Sequence, residues 1–303
     1  MTYDEMGLFR ENADEAGLEW NGPPVVARRD VEVADGRRVS ALIWGEGDPE
    51  LVLLHGGAQN SHTWDTVALA LDRPLVAIDL PGHGHSDWRE DHHYSPPSLA
   101  DDVAVAMADL APRAGAVVGM SLGGLTAISL AARYPTLVPR LVVVDVTPGV
   151  DRVKAEPIIA FVSGPERFAT FDEILDRTVQ HNPTRTVSSL RRGVLHNARE
   201  LPDGSWEWRY DRVRGSLSDG ALPDMGDLWN DLESVGAPCL LVRGGSSGVV
   251  GEVDVAELLR RRPGAEVVVV DGAGHSVQGD RPVELAGIIA GFLSRSTTTP
   301  RRS

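Results

Sequence analysis

The segment GMSLG, residues 119–123, carries the side chain best suited to nucleophilic chemistry. It sets Ser121 between Gly119 and Gly123, after the apolar run AVVGM and before a stretch with helical patterning. A nucleophile on so tight a strand-to-helix turn needs small residues on both sides, because larger side chains would collide with neighbouring backbone. The turn would project the Ser121 hydroxyl above a sheet, and the N–H of Leu122 at the helix start could donate to a developing oxyanion. The sequence therefore predicts Ser121 as a nucleophile.

Two other segments carry groups that could act together with Ser121. In LVLLHGG, the small residue Gly57 lets the backbone approach the nucleophile, so its N–H is predicted as the second oxyanion donor. His55 in the same segment is interpreted as structural, with its ring hydrogen-bonded to the loop. In VVVVDGAGHSVQGDRP, His275 follows a strand-like run and lies in a Gly-rich loop before a helix. A loop at the carboxyl edge of a sheet would let His275 turn toward the serine and accept its proton as a general base.

The elements that must position these groups are short apolar runs separated by helix-like stretches. Continuous rather than alternating apolarity is typical of strands covered on both faces, as in a parallel sheet. The strand-like runs are LVLL (51–54), LVAIDL (75–80), AVVGM (116–120), LVVVDV (141–146), CLLVR (239–243) and EVVVV (266–270). Helical patterning covers 61–72, 98–111, 122–134, 252–262 and 280–294. Upstream, the alternating stretches 26–33 and 37–44 meet at Asp35-Gly36 and predict an antiparallel hairpin at the sheet edge. The fold class predicted is α/β.

One interruption breaks this βα rhythm. Between residue 149 and about residue 235 no buried-strand run occurs and the patterning is helical, which predicts a cap inserted after the sixth strand of the sheet. Such a cap would cover the carboxyl edge, where open α/β sheets bind ligands. In its segment SWEWRY the aromatic residues alternate, which favours an extended stretch packing the cap onto the core or lining a pocket. The division predicted is an N-terminal extension at 1–24 with a short docked helix, a core at 25–148 and 236–295, a helical cap at 149–235 and a disordered tail at 296–303.

Taken together and in this order, the HGG loop, the segment DLPGHGHSD (79–87), GMSLGG and GAGHSVQGDRP resemble the α/β-hydrolase fold family. The resemblance covers the chain from about residue 25 to about residue 294. It implies a mostly parallel, doubly wound sheet of about eight strands, with Ser121 as nucleophile, His275 as base, and Gly57 and Leu122 as oxyanion donors. A serine at position 121 favours ester chemistry over the halide and epoxide chemistry of relatives with an aspartate nucleophile.

The acid of the expected triad is missing from its usual place. Family members commonly carry it in a segment like RGxxSD, but here the stretch is RGGSSGVV and Gly248 stands at that position. Asp145, at the end of LVVVDV on the strand next to the nucleophile's strand, is the leading substitute, because some members of the fold have the acid there. Glu252 and Asp254 are alternatives, although carboxylates in a first helical turn also serve as caps. A site without a conventional acid is a further possibility.

The composition of the chain argues against several classes of partner and cofactor. The formal net charge of −15 argues against nucleic acid and anionic membranes as partners. The single cysteine, Cys239, lies in an apolar run and is interpreted as a small buried side chain, which excludes an intramolecular disulfide. The histidines of PGHGHSD are interpreted as parts of a tight turn rather than metal ligands. No cofactor and no metal is expected, and an acidic N-terminal stretch without an apolar run predicts a cytoplasmic location.

The sequence thus predicts a cofactor-independent serine hydrolase acting on a small or medium carboxylic ester or lactone. Hydrolysis of a carbon–carbon bond with the same residues is one alternative. A cofactor-free oxygenase or lyase that uses His275 as its base is another, and a ligand-binding protein with a residual triad is a third. A small-molecule substrate is expected in every case, and the oligomeric state is left open.

Overall fold

The computed structural model describes residues 3–150, 152–182, 185–212 and 226–295. The predicted disordered tail lies outside these residues. Within them, the strands are β1 (Val26–Glu32), β2 (Arg38–Trp44), β3 (Leu51–Leu54), β4 (Leu75–Ile78), β5 (Ala116–Met120), β6 (Leu141–Val144), β7 (Arg167–Phe168), β8 (Ala198–Glu200), β9 (Trp206–Trp208), β10 (Cys239–Gly244) and β11 (Glu266–Val270). The α-helices are α1 (Phe9–Ala16), α2 (Asp65–Leu71), α3 (Pro96–Leu110), α4 (Leu122–Arg133), α5 (Arg152–Val162), α6 (Phe171–His181), α7 (Val187–Asn197), α8 (Gly226–Ser234), α9 (Glu252–Arg261), α10 (Val277–Asp280) and α11 (Pro282–Ser294). Short 3₁₀ helices lie at Ala34–Gly36, Ser61–Trp64 and Pro135–Leu137.

The main sheet has eight strands in the order β1-β2-β4-β3-β5-β6-β10-β11. The neighbours from β4 to β11 pair in parallel, whereas β1 and β2 form the predicted antiparallel hairpin at one edge. The hairpin turns at Asp35 and Gly36, whose φ angles of 62° and 71° are left-handed. The predicted α/β fold, with its strands at the continuous apolar runs, is therefore confirmed.

Two apolar layers cover the faces of this sheet. Successive strand residues point to opposite faces, so Leu53 packs with the layer that includes side chains of α2 and α11, and Leu54 packs with the layer of α3 and α4. Both leucines are fully buried, and each contributes about 1.5–3 kcal/mol by leaving water. Cys239 is buried at the start of β10, as predicted, and burial raises the pKa of its thiol to about 11. This two-sided packing holds the carboxyl ends of the parallel strands at a fixed edge.

The segment that follows β6 covers that edge, and it is less purely helical than predicted. Its helices α5, α6 and α7 are joined by a small antiparallel sheet in the order β7-β9-β8. The alternating aromatics Trp206 and Trp208 lie in β9, so the extended stretch is confirmed. The last helix of the predicted insertion, α8, packs instead against α4 of the core, with Leu228 and Leu232 in the core layer.

The N-terminal extension forms the predicted docked helix. In α1, Phe9 is buried against Trp44 of β2, with ring centroids 4.8 Å apart. On the same helix, Asn12 accepts a hydrogen bond of 2.7 Å from Nε of Arg192 on α7. The extension therefore contacts both the core sheet and the segment that covers it.

Candidate active site

Ser121 lies on a strained turn between β5 and α4. Its φ of 51° and ψ of −119° are rare for a residue with a side chain, and such strain is typical of functional sites. The flanking glycines are required by close backbone contacts. A Cβ added to Gly119 would lie 2.2 Å from the carbonyl oxygen of Gly123, and a Cβ added to Gly123 would lie 2.4 Å from that of Leu54. The backbone N–H of Ser121 donates to the carbonyl of Val144 at 3.1 Å, which fixes the turn against β6.

The two expected oxyanion donors lie side by side next to Ser121. A Cβ added to Gly57 would lie 3.9 Å from Cδ2 of Leu122, and one added to Gly56 would lie 3.3 Å from Cβ of Ser121. Neither the Gly57 nor the Leu122 backbone N–H donates to another residue in the described part of the chain. Both amides are therefore available to an oxygen bound beside the serine.

His55 has the structural role predicted for it. Its Nδ1 lies 2.7 Å from the carbonyl oxygen of Gly56, and its Nε2 lies 2.9 Å from the backbone nitrogen of Leu80. The ring thus donates from Nδ1 and accepts at Nε2, as a neutral imidazole does. Burial lowers the pKa of His55, which favours this neutral form. Both ring nitrogens are occupied in shaping the loop that carries Gly57.

Asp145 is the carboxylate that lies against His275. Asp145 follows β6 with a left-handed φ of 50°, is fully buried, and its Oδ2 lies 2.8 Å from Nδ1 of His275. Oδ1 accepts the N–H of Gly244 at 2.8 Å, and Oδ2 also accepts the hydroxyl of Ser247 at 2.5 Å. A buried carboxylate is costly unless it is paired and hydrogen-bonded, and these contacts meet both needs.

The two alternative acids are engaged elsewhere. Glu252 is exposed at the start of α9 and pairs with Arg243. Asp254 caps the same helix by accepting the N–H of Gly251 at 2.7 Å, and it pairs with Lys154 at 2.8 Å. Neither carboxylate contacts His275.

The stretch RGGSSGVV, where the family resemblance led us to expect the acid itself, instead provides hydrogen-bond donors to Asp145. Besides the groups of Gly244 and Ser247 that bind Asp145, the N–H of Ser246 donates to the carbonyl of Ala273 at 2.8 Å. A Cβ added to Gly244 would lie 2.2 Å from the carbonyl oxygen of Gly274, so only glycine lets the histidine loop come so close. A Cβ at Gly248 would meet nothing within 4 Å. The stretch therefore contacts both the loop that carries His275 and the residue Asp145 at the end of β6.

Ser121 and His275 line one cavity of about 370 Å³ between the core and the covering segment. Most of its apolar lining comes from the covering segment, namely Pro157, Ile158, Phe161, Val162, Leu190, Val194 and Trp208. The side chain of His275 is partly exposed to this space, at 21%. The Ser121 hydroxyl makes no hydrogen bond to His275 in this structure, and such contacts between a nucleophile and its base often tighten only when substrate binds. Trp208 both packs within the covering segment and lines the cavity.

Among the residues that the structure describes, two clusters have side chains of the types that could bind a metal. At the PGHGHSD turn, Asp79 instead pairs with Arg28 at 2.8 Å and accepts the N–H groups of Ser61 and His85. The second cluster is His62, Asp65 and His196, whose donor atoms lie within 4.8 Å of one another. Its two rings are stacked, with centroids 3.7 Å apart and an angle of 9° between planes, so a single ion cannot lie in both ring planes. His62 instead pairs with Asp65 at 2.9 Å.

Sequence reasoning missed the part that Ser247 takes in the site. The prediction for the stretch RGGSSGVV concerned only its missing carboxylate and assigned no role to its serine hydroxyls. The available signal was the neighbourhood of β6 and β10: if Asp145 ends one strand, donors that follow the adjacent parallel strand lie within its reach.

Comparison with known proteins agrees with the fold. The profile described as alpha/beta hydrolase fold matches residues 49–282, and the chain belongs to this family. Among its relatives, the esterase Rv0045c of Mycobacterium tuberculosis is 48% identical over 297 residues, which cover 96% of each chain. A solved structure of that esterase, from a study of its transition metal inhibition, superposes with a TM-score of 0.87 at 47% identity, covering 97% of this chain and all of that one.

Less similar relatives are named as hydrolases of other substrates. A pimeloyl-[acyl-carrier protein] methyl ester esterase of Aeromonas salmonicida is 30% identical, over 84% of this chain and 99% of its own length. The crystal structure of E-2-(acetamidomethylene)succinate hydrolase has a TM-score of 0.79 at 28% identity, covering 89% of this chain and 100% of that one. Among the described residues, no helix combines the length and apolarity that crossing a membrane would need.

Proposed function

We propose that the protein is a cofactor-independent serine hydrolase that cleaves a small or medium carboxylic ester or lactone through an acyl-enzyme on Ser121. The observation that carries the proposal is the 2.8 Å contact between Asp145 and His275, beside a strained serine that lines the same cavity as the histidine. The esterase of M. tuberculosis supports ester chemistry through its name and its 48% identity. A cytoplasmic location stays a prediction.

In the first half-reaction, Oγ of Ser121 attacks the ester carbonyl carbon while Nε2 of His275 takes the hydroxyl proton. Asp145 stabilises the imidazolium that forms and keeps the Nδ1 proton of His275 facing itself. The N–H groups of Gly57 and Leu122 donate to the oxyanion. When the carbon–oxygen bond of the ester breaks, His275 returns the proton to the leaving alkoxide, and the alcohol departs.

In the second half-reaction, a water molecule gives a proton to His275 and attacks the acyl carbon on Ser121. The same amides stabilise the second tetrahedral intermediate, and His275 protonates Oγ of Ser121 as the carboxylic acid is released. A lactone would follow the same steps and give a hydroxy acid. The cavity volume lies at the lower end of the range for small-molecule sites, which supports a small or medium substrate.

A labelling experiment tests this proposal. The purified protein is assayed with p-nitrophenyl butyrate and then treated with a fluorophosphonate, which reacts with activated serine hydroxyls. We expect hydrolysis, loss of activity on labelling, and the mass of the adduct on the peptide that contains Ser121. The variant Ser121→Ala should lose both turnover and labelling while its circular dichroism spectrum is unchanged.

Two results would contradict the proposal. Turnover that survives Ser121→Ala in the folded protein would remove the acyl-enzyme. An oxygen-dependent reaction that labelling does not inhibit would favour an oxygenase that uses His275 as its base.

A further inference from the structure

Arg185 is a cationic side chain in the active-site cavity that has no carboxylate partner among the residues that the structure describes. It lines the cavity together with Ser121 and His275. Its guanidinium lies against Gly279 in the helix that follows the histidine loop, since a Cβ added to Gly279 would lie 2.8 Å from Cζ of Arg185. The guanidinium of Arg185 therefore contacts the short helix that directly follows His275, the base of the proposed triad.

The hydrogen bonds of Arg185 leave most of its donors unused. One terminal nitrogen donates to Oγ of Ser189 at 2.5 Å, and Nε is buried with no partner. No carboxylate among the described residues lies within salt-bridge distance of this guanidinium. Leaving a buried donor of a charged group unpaired is costly, and such groups in a cavity are candidates for ligand contacts.

Arg192, which lines the same cavity, has a guanidinium whose hydrogen-bond donors are paired. It donates to Asn12 at 2.7 Å and to Ser188 at 2.8 Å, and it pairs with Glu15. Its charge is thereby neutralised, whereas the charge of Arg185 is not.

The electrostatics of Arg185 agree with this contrast. Burial lowers the pKa of Arg185, and the more distant charges of Asp280 and Glu15 do not offset that effect. Arg28 is also largely buried, yet its direct contacts with Asp79 and Glu5 raise its pKa. A desolvated guanidinium without a direct anionic partner gains most from an anion that arrives with the ligand.

We infer that Arg185 forms an anion subsite of the active-site cavity, and that the enzyme prefers esters whose acyl chain ends in a second, ionised carboxylate. The inference rests on the proposed ester hydrolysis and deepens it by naming a substrate class. The guanidinium offers its planar donors to that carboxylate, while the apolar residues of the covering segment contact the methylene chain. The ester carbonyl then lies at Ser121.

The test compares matched charged and neutral esters. The substrates are p-nitrophenyl butyrate and the p-nitrophenyl monoesters of glutaric, adipic and pimelic acids, assayed with the wild-type chain and with Arg185→Gln and Arg185→Lys. We expect the wild type to prefer at least one monoester, and Arg185→Gln to lower the ratio of charged to neutral kcat/KM by about 10- to 100-fold. Arg185→Lys should keep part of the preference because it keeps the charge.

The control is Arg199→Gln, which changes a half-exposed arginine of the covering segment that pairs with Glu207 outside the cavity. It should leave the ratio unchanged. The inference is overturned if the wild type shows no preference for any monoester, or if Arg185→Gln lowers kcat/KM equally for charged and neutral esters. These failures are distinct from failure of the proposed function, in which the neutral ester is not hydrolysed and Ser121 is not labelled.

Discussion

Replacement of Asp145 by asparagine is the sharpest test of the proposed triad, because the surrounding hydrogen bonds determine how the new side chain must lie. An asparagine has one acceptor oxygen and one donor NH₂ group where the aspartate has two acceptors. The fixed N–H of Gly244, 2.8 Å from Oδ1, needs the acceptor. The NH₂ group must then face Ser247 and Nδ1 of His275.

This orientation reverses the tautomer of the base. With an NH₂ group facing it, Nδ1 of His275 must accept, so the ring proton moves to Nε2 and the ring can no longer take a proton from Ser121. The opposite orientation would place the NH₂ against the N–H of Gly244 in a buried site, at a cost of about 1–3 kcal/mol. We therefore expect kcat to fall by about 10³- to 10⁴-fold. Since a tenfold change in rate is 1.36 kcal/mol, this loss is about 4–5 kcal/mol of transition-state stabilisation.

The assay is initial-rate kinetics with p-nitrophenyl butyrate over the neutral pH range, with circular dichroism and thermal unfolding to confirm folding. Glu252→Gln is the matched control, because it neutralises a carboxylate that was also considered as the acid but is exposed and pairs with Arg243 instead of His275. Its kcat should stay near that of the wild type. A folded Asp145→Asn with kcat within tenfold of the wild type, or a comparable loss in Glu252→Gln, would refute the assignment of Asp145.

Three further predictions concern other parts of the molecule. Ser247→Ala removes one donor to the buried acid, and kcat should fall about tenfold in steady-state assays, with partial recovery in Ser247→Thr. Gly123→Ala should destabilise the chain by at least about 2 kcal/mol in urea unfolding, because its Cβ would overlap backbone carbonyls, whereas Gly248→Ala should not. For His62, burial lowers the pKa, but Asp65 and Glu5 outweigh this and raise it to about 9, so titration by nuclear magnetic resonance should give a midpoint near that value.

Because the pKa of His62 is raised in the folded chain, its protonation stabilises the fold, and this stabilisation depends on pH. A histidine whose folded pKa is raised stabilises the fold fully below its unfolded pKa of about 6.5, and this stabilisation is lost as the pH rises to about 9. The free energy of unfolding should therefore fall between these pH values in the wild type, and fall less in His62→Gln. An equal fall in both proteins would contradict the pairing of His62 with Asp65.

Much of the architecture could be predicted because it depends on local pattern. The strand-like runs are continuously apolar over most of their length, as parallel strands buried on both faces tend to be, and all of them form strands of the main sheet. The turn around Ser121 could also be predicted. Only glycine fits at positions 119 and 123 of such a turn, and both glycines can be read from the sequence. Of the small sheet in the covering segment, only the extended stretch at β9 was predicted, since strands as short as Arg167–Phe168 have no periodicity to recognise.

The candidate site was less predictable where its contacts depend on tertiary neighbours. The sequence favoured Asp145 as the acid but left Glu252 and Asp254 open, because the choice depends on which strand ends beside the histidine loop. The polar contact of Ser247 depends on the same packing. Arg185 could not be singled out from the sequence of an arginine-rich chain, because what distinguishes it is that no described carboxylate pairs with it.

The adjacency of β5 and β6 has a mechanical consequence for catalysis. The backbone of Ser121 is hydrogen-bonded to Val144, the residue immediately before Asp145, so the proposed nucleophile and acid share one rigid support. Only His275 is carried by a loop that follows an edge strand of the sheet. In the proposed triad, Ser121 and Asp145 are therefore held together by paired strands, and we expect His275 to be the member whose position depends on its loop.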